Sequence, residues 1–242
     1  MRHSARKRVD FALRNWIDVR FQQATQSTAA GKAQEGSRSA VTGGRHLDAV
    51  DRLVREELTA TGARGLKFLT GRDATLPGFY RATKSWDLLA LQDGNPVLAV
   101  EYKSMKGSEG KNLNNRADEV FGVAEDLRQA EIRGLLPATM RRAYVFVMGV
   151  TPDSLAPRRT QNVAAGETDP IFDGVGYLER AAIMCERMQE TGLYHFAWAV
   201  GVHESPFSWV EPRPAVTWEN FARGLGEMFE DGEVRPLPKR AV

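Results

Sequence analysis

The chain has 242 residues, 42% hydrophobic and 26% charged, with a formal net charge of +2 and one cysteine, Cys185. That composition belongs to a globular protein of one large or two small domains. No apolar run approaches a bilayer span, the lone cysteine excludes an internal disulfide framework and fits a reducing cytoplasm, and the small net charge neither demands nor excludes a nucleic-acid partner.

The N-terminal stretch MRHSARKRVDFALRNWIDVRF places Val9, Leu13, Trp16, Ile17 and Phe21 at helical spacing, which predicts a docking helix with a basic outer face. Asp10 and Asp18 fit the alternative, a mitochondrial presequence, poorly, and no apolar core follows as a secretory signal requires. A small, polar, Gly-rich loop follows, QSTAAGKAQEGSRSAVTGG. HLDAVDRLVREELTATG carries Leu47, Val50, Val54 and Leu58 at helical spacing and ends at Gly62. LKFLT is a short strand, LPGFY a turn, and SWDLLAL and VLAVEYK are strands joined through Asp93-Gly94, a hairpin signal. NNRADEVFGVAEDLRQAEIRG reads as a helix with Asn114 or Asn115 as its cap. Then come the apolar strand AYVFVMGV, the helix GYLERAAIMCERMQETG, the strand LYHFAWAVGVH and a last helix beginning at Thr217. The fold class expected is α/β, a mixed β-sheet flanked by helices on both faces.

Three charges interrupt the apolar hairpin strands: Asp87 in the first, Glu101 and Lys103 in the second. Strand alternation puts Glu101 and Lys103 on one face, about 7 Å apart. With a two-residue turn and regular pairing Asp87 lies opposite Val100, and the acids face opposite ways. A three-residue turn or a bulge sets Asp87 opposite Glu101, with Cβ atoms about 5 Å apart on one face. Two carboxylates that close call for a divalent cation, and hard oxygen ligands suit Mg2+. A lysine beside them holds a water or stabilises phosphate charge, so the set suits hydrolysis of a phosphodiester. On spacing alone, an ion pair at a strand end explains the acid and lysine equally well.

Four stretches, RSAVTGGRHLD, LPGFYRATKSWDLLAL, VEYKS and NNRADEVFG, stand in the order and at the separations of a known group. The chain resembles the XhoI-type restriction endonucleases, a branch of the PD-(D/E)XK nucleases. With no clear boundary after the N-terminal loop, the chain reads as one nuclease domain over 1–242, and the resemblance, carried by roughly residues 36–130, implies a PD-(D/E)XK restriction-endonuclease-like core. Residues 1–45 would be an N-terminal helix and Gly-rich loop, 46–150 the catalytic core and 151–242 the completing helices and strand, with a loose tail from about 232. It further implies that Asp87 and Glu101 bind Mg2+ with the Tyr102 carbonyl as a further ligand, and that Lys103 serves the attacking water. The substrate would be double-stranded DNA, cut at the palindrome CTCGAG by a homodimer, with a DNA methyltransferase protecting the host. The chain departs from the group at Met105, where Gln is usual, and in the more charged loop KGSEGKNL. Another nuclease of the same superfamily, or a non-cleaving DNA-binding module, stays open.

Further candidates adjoin the hairpin. Asn112, Asn114, Asn115 and Arg116 suit DNA bases or phosphates. Glu57, ahead of Glu56, is a candidate side ligand to the metal, against a solvated helix face. Arg38, with Ser39 and Thr42, and Lys84, with Arg81, suit the DNA backbone. His3, His46, His195 and His203 show no metal-ligand spacing; His195 and the aromatic residues around it read as core. No phosphate-binding glycine loop followed by Lys-Ser or Lys-Thr is present.

Overall fold

The computed structural model describes residues 3–29, 45–160 and 163–236, with the side chains of 24–29 and 45 left aside. The chain divides into two compact units, 1–60 and 61–242. In the first, α1 (His3–Ala29) packs on α2 (Asp48–Ala60). Val9, Leu13 and Trp16 of α1 and Val50, Leu53, Val54 and Leu58 of α2 are buried, as their spacing predicts; Phe21 is exposed. Asp48 and Asp51 in the first turn of α2 suit its positive end.

The second unit runs β1 (Leu66–Leu69), β2 (Thr75–Pro77), β3 (Thr83–Ser85), β4 (Leu88–Gln92), β5 (Asn95–Met105), α3 (Glu109–Ile132), β6 (Arg141–Gly149), α4 (Pro152–Leu155), α5 (Tyr177–Glu190), β7 (Phe196–His203), β8 (Ser208–Val210), α6 (Trp218–Glu227), β9 (Phe229–Glu230) and β10 (Glu233–Val234). Six strands form one sheet in the order β1-β4-β5-β6-β7-β8. Its centre, β5-β6-β7, is parallel and its margins are antiparallel. Every residue of β6 is buried, as a parallel strand covered on both faces requires. On one face, Tyr144 and Phe146 of β6 and Ala197 of β7 join Leu113, Val120 and Leu127 of α3 and Ala181 and Cys185 of α5 in a single cluster. On the other, Trp198 meets Trp218 of α6 edge-on at 5.0 Å, and Trp218 stacks on Phe221. Thr217 caps α6 through the Asn220 amide, as expected. The structure is thus a mixed sheet with helices on both faces.

Two local readings change. The turn LPGFY belongs to a separate ribbon, in which Leu76 pairs with Lys84 and Pro77 with Thr83. Helix α3 begins at Glu109, so Asn114 and Asn115 lie inside it and neither is its cap. The charged stretch before them folds because Gly107 and Ser108 both adopt positive φ and turn the chain. Buried Glu109 then accepts hydrogen bonds from the Gly107 amide and the Thr151 hydroxyl, giving the helix start an acid in place of a conventional cap. Beyond 232, where composition suggests a loose tail, the buried Gln92 amide donates to the Gly232 carbonyl and accepts from the Val234 amide.

Helix α3 is anchored to the sheet by Arg142, 2% exposed. Its guanidinium pairs with Glu131 and donates to the carbonyls of Leu193, at 2.7 Å, and Gly192, at 3.2 Å. His195, read as structural, accepts the Arg142 amide. Removing one partner of such a pair leaves a buried charge behind. Arg142→Ala should therefore destabilise the fold by about 3–5 kcal/mol in urea melts, against less than about 0.5 kcal/mol for the exposed Arg223→Ala.

Candidate active site

The site is built at the open end of the β4–β5 hairpin. Asp93 and Gly94 both have positive φ and make a two-residue turn, pairing Gln92 with Asn95 and Leu91 with Pro96. The register then shifts between Leu91 and Ala90, so that Ala90 pairs with Leu98 and Leu88 with Val100. This is the bulge that the acid pair requires, with Val97 as the inserted residue. Continued by one step, the shifted register sets Asp87 against Glu101. Asp87 also accepts the Tyr102 amide on Oδ2 at 2.8 Å, which fixes its carboxylate across β5.

Glu101 is 5% exposed, an unusual place for an acid, and both its oxygens are taken by cations. Lys103 bonds Oε1, so the two residues share a face as alternation predicts. Lys84 reaches Oε2 at 3.2 Å from β3, with its ammonium also 5.2 Å from the Trp86 ring. Lys84, expected to track DNA, thus contacts the acid pair itself. Asp87 keeps an open side to solvent but is crowded by protein. Loss of water raises its pKa above the ordinary carboxylate value, and the Glu101 charge raises it further, against the Tyr102 amide, Lys103 and Lys84. Met105, where the related group carries Gln, is buried in the core cluster.

Asn114 and Asn115 are exposed on the second turn of α3. Asn112 and Arg116 are half-buried, and Arg116 pairs with Glu119 at 2.5 Å. Glu57 lies in the first unit, where it holds Arg8 at 2.7 Å, and Glu56 lines a cleft between α1 and α2. Arg38, Ser39 and Thr42 lie outside the described residues. Among the described residues, no three His, Cys, Asp or Glu side chains converge as a metal centre, so Asp87 and Glu101 stand as a pair. No helix among them is long and apolar enough to cross a membrane.

The arrangement joins two facing carboxylates, one buried and one open to solvent, to two lysines. Such a set can hold a hard cation and oppose the charge of a phosphate. The chain is 34% identical over 161 residues to the type II restriction enzyme XhoI of Xanthomonas vasicola, covering 65% of each chain. It is 31% identical to the type II restriction enzyme BstVI of Geobacillus stearothermophilus, over 66% of this chain and 74% of that one. It is 36% identical to the type II restriction enzyme AbrI of Azospirillum brasilense, over 59% and 63%. The chain therefore spans just under two thirds of the first of these relatives. No solved structure matches it. The family described as Restriction endonuclease XhoI matches residues 26–206, well over half of the sequence, and the chain belongs to that family.

Proposed function

We propose that the chain is an Mg2+-dependent type II restriction endonuclease that cuts both strands of a short palindrome in double-stranded DNA, acting as a two-fold homodimer in the cytoplasm. The CTCGAG site is the one its resemblance to the XhoI group implies, and a DNA methyltransferase of matching specificity would protect the host. The observation that carries this reading is the shifted register, which brings Asp87 and Glu101 together with Lys103 on the Glu101 carboxylate.

The donor set fits Mg2+: two hard carboxylates, with the pKa of Asp87 raised first by burial and then by the Glu101 charge, and the Tyr102 carbonyl would be a further oxygen ligand. Asp87 and Glu101 would hold the ion, which when bound supplies Lewis acidity and lowers the pKa of nearby water. Lys103, freed from Glu101, holds the attacking water against the phosphorus and offsets the charge that develops on the phosphate. Water oxygen bonds to phosphorus as the bond from phosphorus to the 3′-oxygen breaks. The attacking water gives up one proton to solvent and the leaving 3′-oxygen takes one up from solvent, giving 5′-phosphate and 3′-hydroxyl ends. Lys84 remains beside Glu101 as a second cation facing the same charge. Asn112, Asn114, Asn115, Arg116 and Arg38 are DNA contacts in this reading.

The direct test is incubation of the purified chain with unmethylated phage DNA, with and without Mg2+, followed by sequencing of the ends. Discrete fragments that require Mg2+ are expected, ending within one palindrome; no cutting in either Mg2+ or Mn2+ refutes the nuclease. Asp87→Ala, Glu101→Ala and Lys103→Ala should each slow cleavage about a thousandfold, the effect of losing about 4 kcal/mol of transition-state stabilisation. A folded variant cutting at nearly the wild-type rate removes that residue from the mechanism.

The raised pKa of Asp87 also predicts a stability effect in metal-free protein. A carboxyl that binds its proton more tightly when folded contributes stability below its unfolded pKa of about 3.9, and that contribution is lost as pH rises through the folded value. Asp87→Asn keeps an acceptor for the Tyr102 amide and carries no charge. It should be more stable than wild type at pH 7 in EDTA, with the margin vanishing near pH 3. Urea melts at both pH values read this, and an equal margin at both would show that Asp87 is not the titrating group.

A further inference from the structure

Buried Asp126 on α3 takes no part in the chemistry above, yet it is 2% exposed and fully engaged. Its Oδ1 accepts the amides of Phe79 and Tyr80 at 2.8 and 2.7 Å, and its Oδ2 holds the Arg81 guanidinium at 2.9 Å. All three partners belong to the tip of the β2–β3 ribbon. Gly78, at the start of the tip, has no room for a side chain: a Cβ there would stand 2.6 Å from the Arg81 carbonyl oxygen and 2.7 Å from Asp126 Oδ2. The Gly78 amide closes the turn on the Ala82 carbonyl. A buried acid, a glycine and a cation are thus committed to holding five residues in one shape.

That shape presents two large rings to solvent. Phe79 is 38% exposed and Tyr80 66%, their centroids 4.8 Å apart and edge to face. Cations border them: Arg133 lies over the Phe79 ring at 5.4 Å, and the Arg81 side chain is 45% exposed. The bonded acid, Asp126, is buried and paired, so it offers little repulsion to an anion. The ribbon also carries Lys84, which bonds Glu101. Lys84 lies four residue steps after Tyr80, a span of at most about 14 Å, or about four nucleotide steps along a DNA strand.

We propose that the Phe79–Tyr80 tip is a DNA-contacting surface that packs its rings against nucleotides beside the cut, with Asp126 as the positioning residue that holds it. The inference rests on the nuclease reading. Exposed aromatic rings bordered by arginines suit duplex DNA, where rings wedge at a base step or pack on sugars in a groove and arginines meet phosphates. A rigid tip meets that partner without the entropic loss of ordering a loop.

The test measures binding of the full chain to a fluorescent duplex by anisotropy, with Ca2+ in place of Mg2+ to avoid turnover. Phe79→Ala with Tyr80→Ala should raise Kd at least about tenfold, through loss of the ring contacts with the duplex. The slope of log Kd against log salt should stay at the wild-type value, because the rings release no counterions. Thermal melts should show the exposed rings dispensable to the fold. Asp126→Ala should weaken binding in the wild-type background and change it little once the rings are gone; a merely structural role would weaken both. If that variant does not fold, the ring variants alone decide. A Kd within twofold of wild type for the doubly substituted tip overturns the proposal, as does a loss of affinity that sedimentation traces to dissociation of the dimer. A wild-type chain that binds no DNA overturns this proposal and the nuclease together. One that binds and cuts, alongside an equally active tip variant, overturns this proposal alone.

Discussion

The two-residue turn at Asp93-Gly94 would by itself set Asp87 against Val100 and turn the two acids to opposite faces of the sheet. A single inserted residue, Val97, reverses that outcome for every residue beyond it, because side chains on a strand alternate with a period of two. The turn needs Gly94 at positive φ, and β5 must spend one residue unpaired, so the ladder loses regularity at its start to gain a shared face at its end. The hydrogen bond from the Tyr102 amide to Asp87 locks the result, since it too depends on Asp87 lying across from the charged end of β5.

Once the acids share a face, their charge has to be balanced. Glu101 lies almost wholly out of water, where an unpaired carboxylate is costly, and Lys84 and Lys103 each take one of its oxygens. Asp87 has the open side and the raised pKa. The division suits the proposed reaction: the lysines satisfy the buried acid here and would be the nearest cations to a phosphate brought to the pair. The parallel neighbour β6 supplies the rigid backing, since Glu101 pairs with Tyr144 and Lys103 with Phe146, both wholly buried. A fully buried central strand leaves the charged end of β5 little freedom to shift.

Much of this was legible in the sequence, because period-two and period-3.6 patterns report directly on faces. The apolar run of β6, the helical stripe of α2 and the shared face of Glu101 and Lys103 follow from spacing alone. The need for a bulge was legible too, as a condition on the acids facing each other. Its position was not, because Leu98, Ala99 and Val100 are apolar in either register. The start of α3 was hidden for a different reason: the residues that make it, Gly107, Ser108 and Glu109, have loop composition, and the bond from Thr151 that steadies Glu109 comes from far along the chain. Lys84 was expected at the DNA backbone, and its contact with Glu101 was hidden because the two lie in different sheets, so no alternation rule relates them. Only the folding of the β2–β3 ribbon against the hairpin puts its ammonium on Glu101.

The same ribbon explains why so short a segment carries so many constraints. Trp86, buried at its end, donates its backbone amide to Ala74, which ties the ribbon's two strands together just before Asp87. Asp126 ties the opposite end to α3. Held at both ends, the ribbon has little freedom to bend between them, and Lys84 lies in that interval. A lysine on a free loop would lose the entropy of an ordered side chain in reaching Glu101, whereas one on a clamped strand meets much of that cost when the protein folds. The buried acid that holds the aromatic tip therefore also steadies the lysine at Glu101, and a disturbance at Asp126 reaches the pair through its hydrogen bonds and a few ribbon residues.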